Sequence, residues 1–439
     1  MTGGDPAAAV GRARDAQPAW AAEALADRVA VVRRFRDAVE AEADELAVAL
    51  TADMGKPVTQ ARGELAGTLG RLDFFLDEVE AAVAPVEVHR DADLVERISF
   101  EPLGTLAHVS AWNYPWFVGT NVFVPALLTG NAVVHKPSEL VPRTGDAMAR
   151  LLHAAGVPDD VFVLVAGDGP VGAELVRQRV DGVFFTGSYA TGRAIAEATS
   201  GRMITVQLEL GGKDPVYVRP DVDLDAAARS LAEGAFSNAG QSCCAVERIY
   251  VHEAVHDDFV ARFAAATGAF VPGDPTHADT TLGPLTRPQQ ADVLEAQVAD
   301  AMAHGAHLVT GGARIDRTGG TWFPPTVLID VTDEMAVMRD ESFGPIIGIR
   351  SVASDDEAVS RMNDTEYGLT AGVYTRDEAV ATAILARLDA GSAYWNCCDR
   401  VSPRLPWSGR HHSGVGTTLS TLGIRSFVRP KAWHLRRPA

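Results

Sequence analysis

Only four cysteines occur in 439 residues, and they fall in two adjacent pairs, Cys243-Cys244 and Cys397-Cys398. Vicinal pairs rarely build a disulfide framework, so a large chain this poor in cysteine reads as a protein of a reducing interior. Positive charge is scarce as well: 39 Lys and Arg stand against 58 Asp and Glu, a formal net charge of −19. That balance argues against nucleic acid or an anionic membrane as partner, because both need a basic face. Long apolar runs are missing. The longest, such as Val122–Leu128, fall far short of the roughly 20 residues that a membrane helix needs. The start, Met1-Thr2-Gly3-Gly4-Asp5-Pro6, lacks the basic region and apolar core of a signal peptide, and a cytoplasmic location is expected. There is no internal repeat and no low-complexity tract beyond alanine-rich helical stretches.

What is present is an ordinary apolar content of 47%, in a chain long enough for two or three domains and a large core. Residues from about 7 to 84 read as helices. Val29, Val32, Phe35 and Val39 recur at helical spacing, and packing into a core accounts for the whole segment. Gly55-Lys56-Pro57 breaks the pattern. Val86–His89 and Arg97–Pro102 alternate as the strands of a hairpin would. From Gly104 onward, apolar runs at 105–109, 132–135, 162–165, 182–185 and 215–218 alternate with helical patterns, which predicts a parallel sheet covered on both faces. A second such unit starts near Gly212 and uses strand-like runs at 248–251, 306–310, 322–328 and 346–349. Ligands in such sheets sit beyond the carboxyl ends of the strands.

Two stretches carry chemistry. In Phe236-Ser237-Asn238-Ala239-Gly240-Gln241-Ser242-Cys243-Cys244, a small-residue loop ends in a thiol that could meet a substrate near charge-stabilising backbone N–H groups. A small buried cysteine is the blander account of the same pattern. Upstream, Leu208-Glu209-Leu210-Gly211-Gly212-Lys213 sets one carboxylate between apolar neighbours, where burial raises its pKa toward that of a usable base.

Together, F-x-N-x-G-Q-x-C and L-E-L-G-G-K, 34 positions apart from Glu209 to Cys243, resemble the paired signatures of the aldehyde dehydrogenase superfamily. The resemblance spans about Ala7 to Lys431. It implies an α/β fold: a Rossmann-type parallel-sheet cofactor domain (1–84 and 103–210), a second α/β catalytic domain (211–412), and a small β oligomerisation element (85–102 and 424–439). It implies Cys243 as nucleophile, Glu209 as the base that activates water, and Asn113 of Trp112-Asn113-Tyr114-Pro115 as the amide donor to the oxyanion. The cofactor would be NAD, with NADP possible, held by Ala111, Trp112, Lys136, Ser138, Glu139, Gly169, Gly187, Ser188, Leu210, Glu341 and Phe343. A carboxylate at Glu139 accepts from ribose hydroxyls and repels a 2′-phosphate, which favours NAD. No metal is expected.

The aldehyde tunnel would be lined by Tyr114, Phe117, Val118, Asn121, Ser242 and Cys244, with a mouth from Cys397–Val401 and Trp407. Arg400 and Arg404 could grip a carboxylate there, or could be solvated loop arginines, so a small aliphatic aldehyde and a semialdehyde both stay open as substrates. The chain departs from the usual family pattern at Pro406-Trp407-Ser408-Gly409-Arg410-His411-His412-Ser413-Gly414, which touches the shape of that mouth. The resemblance further implies a homodimer or homotetramer. Rival readings are a CoA-acylating relative, against which Glu209 argues, and a non-catalytic binding or structural member of the fold.

Overall fold

Four helices open the chain, Pro6–Ala22, Leu25–Ala41, Ala43–Met54 and Val58–Val83, in a computed structural model that describes residues 4–438. Met1–Gly3 and Ala439, which belong to the expected leaderless start and to the outer limits of the first and last expected segments, lie outside the described residues. Asp5 caps the first helix by accepting from the Ala7 N–H at 2.9 Å, with Pro6 in the first turn, the usual chemistry of a helix start. The second helix buries Val31, Val32, Phe35 and Val39. The fourth buries Ala61, Leu65, Leu72 and Phe75, but also Glu64, Thr68 and Arg71. Those polar members correct the expectation that core packing explains residues 7–84.

Strands Thr105–Val109, Ala132–Lys136, Phe162–Leu164, Gly182–Thr186 and Thr205–Glu209 form one parallel sheet. The chain builds it outward from 105–109 to 162–164, then returns to add 182–186 on the other side of 105–109. That reversal leaves a crevice at the carboxyl ends of 105–109 and 182–186, where open α/β sheets bind ligands. Strand residues on both faces, including Leu106, Ala107, Val133, Val134 and Phe184, are buried, as intervening helices on both faces require. A segment from late in the chain adds one more piece: Gly414–Val415 pairs antiparallel with Thr205–Glu209, and Gly414 lies opposite Glu209.

The second sheet orders its strands as His307–Thr310, Thr326–Ile329, Ile346–Val352, Val246–His252, Asp214–Val218, Thr370–Tyr374 and Ser392–Trp395. All neighbours are parallel except the edge strand His307–Thr310, which runs antiparallel. The hairpin is Val86–Arg90 with Leu94–Pro102, and Val428–Arg436 pairs with its second strand along its whole length, making a small antiparallel sheet. That closing strand starts at Val428, after the short helix Ser420–Arg425. The α/β architecture of two parallel-sheet units with a small β element is the one expected.

Candidate active site

Helix Leu224–Phe236 delivers the chain to the thiol loop. Beyond it, Asn238, Ala239 and Gly240 all take left-handed backbone angles (φ +52°, +56° and +67°). For the two residues with a Cβ that conformation costs about 1–3 kcal/mol each and persists only where the surroundings fix it. They do so here. The Asn238 N–H donates to Gln60 Oε1 at 2.9 Å, and its Nδ2 donates to the carbonyls of Asn113 (3.2 Å) and Gln241 (3.0 Å). Gln241 Nε2 returns a bond to the Asn238 carbonyl at 2.9 Å, and its Oε1 accepts from the Thr286 N–H at 2.9 Å. A Cβ at position 240 would run into the carbonyl of Gly344, so only glycine lets this loop touch the 341–345 loop.

Cys243 emerges half-buried into a cleft of about 500 Å³ that Glu209 and Asn113 also line. Cys244 is buried. Its neighbour Cys243 and its burial hold its thiol well above the ordinary value, and it donates to Asp399 Oδ1 at 2.9 Å. Of the pair, only Cys243 lines the cleft.

The side chain of Asn113 donates to the Gln241 carbonyl at 3.2 Å. An amide carries two N–H groups, and this one bond leaves the other free for an oxyanion. Its backbone carbonyl accepts from Lys56 Nζ at 2.7 Å. Lys56 pairs with Glu64, both buried, and Glu64 Oε1 takes the Trp116 N–H at 2.9 Å. Lys56, which bonds Asn113, Glu64, which pairs with Lys56, and Gln60, which accepts from Asn238, come from segments that sequence reasoning assigned to the core or to a breaker.

Glu209 ends its strand almost fully buried. Its carboxylate accepts from Thr418 Oγ1 and, at 3.2 Å, from Thr186 Oγ1. Burial pushes this carboxyl above its ordinary value, while the two threonines and the charge of Arg71 pull it back. The raised carboxyl expected from its apolar neighbours is thus present, held by two hydroxyls. Thr418 was not foreseen, because its loop reaches Glu209 through the Gly414–Val415 pairing.

All eleven residues expected around the cofactor line this same cleft. Lys136 Nζ reaches Glu139 Oε2 at 3.4 Å at the end of its strand, and Ser188 caps helix Tyr189–Thr199 beside Gly187. The helix N-terminus presents unpaired N–H groups suited to a pyrophosphate. Glu341 is half-buried with a single backbone donor, the Gly212 N–H at 3.2 Å, and burial beside the charge of Glu247 pushes its carboxyl up to about 8. A Cβ on Gly211 would overlap that carboxyl. Phe343 meets Trp112 edge-on at 5.6 Å. This donor and acceptor set, with two aromatic rings at one end, fits a dinucleotide.

The 341–343 loop hangs on a buried ion pair with no local sequence signal. Lys213 Nζ donates to Glu247 Oε2 at 2.6 Å and to Ser342 Oγ at 3.0 Å. Glu247 in turn accepts from the N–H groups of Ser342 (2.8 Å) and Phe343 (3.0 Å). Lys213→Met leaves the Glu247 charge buried without its counter-ion, and the expected loss is roughly 3–5 kcal/mol of unfolding free energy. Urea denaturation measures it. Adding Glu247→Gln should recover much of the loss, and a Lys213→Met protein as stable as wild type would remove this pair's role.

On the other side of the thiol loop, Tyr114 and Phe117 stack at 5.7 Å and 5°. Lys56 lies 3.6 Å over the Tyr114 ring and Arg71 3.7 Å over the Phe117 ring. Asn121 and Val118 share helix Pro115–Leu128 with Phe117. Ser242 Oγ and Cys244 Sγ both reach Asp399 Oδ1. Trp407 is buried in the same apolar cluster as Cys244 and Cys243. Arg400 and Arg404 are exposed, and neither forms an ion pair among the described residues. His411 bonds Asp389 at 2.6 Å, and His412 stacks on Tyr189 at 3.9 Å.

A model described as the aldehyde dehydrogenase family matches residues 2–433. The chain belongs to the aldehyde dehydrogenase family. It is 38% identical to the 3,6-anhydro-alpha-L-galactose dehydrogenase of Streptomyces coelicolor, over 98% of this chain and 88% of that protein. It is 37% identical to a putative NADP(+) succinate-semialdehyde dehydrogenase of Mycolicibacterium smegmatis, over 97% of this chain and 84% of that one. Its fold superposes on the crystal structure of an indole-3-acetaldehyde dehydrogenase complexed with NAD+ at a TM-score of 0.95, with 33% identity, 98% of this chain and 88% of that one. The protein is an NAD(P)-dependent aldehyde dehydrogenase that oxidises an aldehyde to a carboxylate through a cysteine thiohemiacetal and thioester.

Proposed function

We propose that Cys243, Glu209 and Asn113 carry this oxidation. The supporting observation is that the only half-exposed thiol of the Cys243-Cys244 pair, a buried carboxyl of raised pKa and an amide with a free N–H meet in one cleft. Cys243 Sγ bonds to the aldehyde carbon, and the resulting oxyanion accepts from Asn113 Nδ2 and the Cys243 backbone N–H. Bound nicotinamide supplies the hydride acceptor that turns the adduct into a thioester. Lys136, Glu139 and Ser188 hold the adenosine and pyrophosphate end, while Glu341, Phe343 and Trp112 hold the ribose and ring of the other. Glu209 then takes a proton from water, whose oxygen bonds to the acyl carbon. The C–S bond breaks, and Cys243 leaves as thiolate with a carboxylic acid as product.

In this reading residues 1–84 and 103–210 bind the cofactor and 211–412 supply the catalytic half. Residues 85–102 and 424–439 join subunits into a homodimer or homotetramer. The last point is supported by the small sheet, whose strand Val86–Arg90 is exposed along its length and shows Val86 and Val88 to solvent. Light scattering that returns a monomer would end it. The four free cysteines suit a cytoplasmic location. Exposed Glu139 beside Lys136 favours NAD, and the substrate is a small aliphatic aldehyde or a semialdehyde.

The test is a panel of aliphatic, aryl and carboxylate-bearing aldehydes with NAD and with NADP, followed by absorbance of the reduced nicotinamide. Turnover with NAD exceeding NADP is expected. Silence across the panel with NAD still bound would overturn the assignment.

A further inference from the structure

We propose that Arg71 determines specificity by gripping a carboxylate at the far end of the aldehyde. The inference rests on the dehydrogenase reading and names the substrate class for that same site.

Arg71 stands apart from the other buried cations. It is 4% exposed on helix Val58–Val83. Lys56 and Lys213 each have a buried carboxylate partner. The Arg28 guanidinium donates to four backbone carbonyls. Arg248 bonds three carbonyls and a tyrosine hydroxyl. Arg71 has one hydrogen bond, from Nη1 to Asn121 Oδ1 at 3.1 Å, and no carboxylate at ion-pair distance among the described residues. A guanidinium has five N–H donors, so the Nε–Nη2 edge of this one is unused. Burying an incompletely paired cation is expensive, and such groups concentrate at functional sites. Burial lowers its pKa to about 10, which leaves it charged at neutral pH.

Its surroundings are those of the tunnel. The guanidinium carbon lies 3.7 Å over the Phe117 ring, and Gly67, one turn earlier on the same helix, makes room for that ring: a Cβ there would sit 2.7 Å from it. The charge of Arg71 pulls Glu209 down, and Glu64, Glu209 and the two cysteines of the nucleophile loop act in turn to raise Arg71. Neither Glu209 nor Glu64 neutralises it: Glu209 is bound by Thr186 and Thr418, and Glu64 by Lys56 and the Trp116 N–H. Phe117 lies against the guanidinium, Asn121 occupies one nitrogen, and the open edge has the fork geometry that takes a carboxylate bidentately. Arg400 and Arg404, which the sequence left open as carboxylate partners or solvated loop residues, are exposed, where an ion pair in water contributes little. Asp399, bound to Cys244 and Ser242, is the competing charge, and it would instead attract an amine.

The experiment compares wild type, Arg71→Gln and Arg71→Lys on a short aldehyde ending in a carboxylate, its methyl-ended counterpart and its amine-ended counterpart. Wild type is expected to prefer the carboxylate. In Arg71→Gln the ratio of kcat/KM for the carboxylate-ended over the methyl-ended substrate should fall about 10–100-fold, mainly through KM, as loss of a charge-assisted pair predicts. Arg71→Lys keeps the charge without the fork and should fall in between. A purely structural role would slow all three substrates alike and leave the ratio unmoved. An unchanged ratio, or a wild-type preference for the amine, overturns the proposal while the dehydrogenase reading stands. A thermal-shift titration of the NAD-loaded proteins decides the point without turnover. A short dicarboxylate should raise the Tm of wild type more than that of Arg71→Gln, and equal shifts would overturn the role of Arg71 even if no aldehyde were oxidised.

Discussion

Cys243→Ala is expected to abolish aldehyde-dependent reduction of the nicotinamide while the cofactor still binds. Loss of a covalent nucleophile costs many orders of magnitude, and at least about 10⁴-fold is expected in kcat. No other thiol can take over. Cys244 is the nearest, but with Cys243 gone its burial and the charge of Asp399 still raise its thiol, and it donates to Asp399. Burial pushes Cys398 up to about 11 and raises Cys397 as well, and their loop follows strand Ser392–Trp395 in the other sheet. The substitution removes one sulfur from a half-exposed position, so the fold survives it. Quenching of protein fluorescence by NAD provides the control: intact binding with no reduced nicotinamide is the expected pair of results. Turnover within tenfold of wild type would show that the nucleophile lies elsewhere.

The sequence made this much legible because chemistry sits where the fold's grammar puts it. Cys243, Glu209 and Asn113 all follow strand or helix ends and lie in short motifs whose residues are neighbours in space as well as in sequence. The same holds for Lys136 and Gly187, at carboxyl ends of strands, and for Glu341, in the loop before strand Ile346–Val352. What stayed hidden is long-range. Lys213 and Glu247 meet across two adjacent strands to hold a third segment, Ser342 and Phe343. Nothing local in Val246-Glu247-Arg248 announces that. Lys56, Glu64 and Arg71 lay in segments read as helices around a core, although a signal was available: Glu64, Thr68 and Arg71 fall on the apolar stripe of Ala61, Leu65, Leu72 and Phe75, where polar residues need a reason. Thr370–Tyr374 was missed because a short, fully buried strand carries no alternation, and Ser392–Trp395 because four residues are too few to show one. Arg400 and Arg404 stayed open between gripping a carboxylate and lying solvated in a loop, because charge in a sequence does not reveal exposure.

Glu209→Gln separates the two halves of the reaction. Without a base for water, the thioester on Cys243 should form at a near-normal rate and then persist. Rapid mixing should therefore give a burst of about one reduced nicotinamide per site, followed by a steady state slower by roughly 10²–10⁴-fold, the usual contribution of a general base. The variant should fold. A Gln amide can accept from one of the threonine hydroxyls and donate to the other, replacing the bonds from Thr186 and Thr418. The linkage argument points the same way. The folded-state pKa of Glu209 is raised by burial, so the carboxyl stabilises the fold most below its unfolded value. That stability is lost as pH rises toward the folded value. A neutral amide avoids this loss, and above the ordinary carboxylate range the variant should be at least as stable as wild type. Slow turnover then cannot be blamed on unfolding. The wild-type steady-state rate should also climb as pH rises through the raised pKa of Glu209, because only the ionised carboxyl can accept the proton of water, and that climb should vanish in the variant. A normal steady state in Glu209→Gln, or an unchanged pH profile, would assign the activation of water to another group.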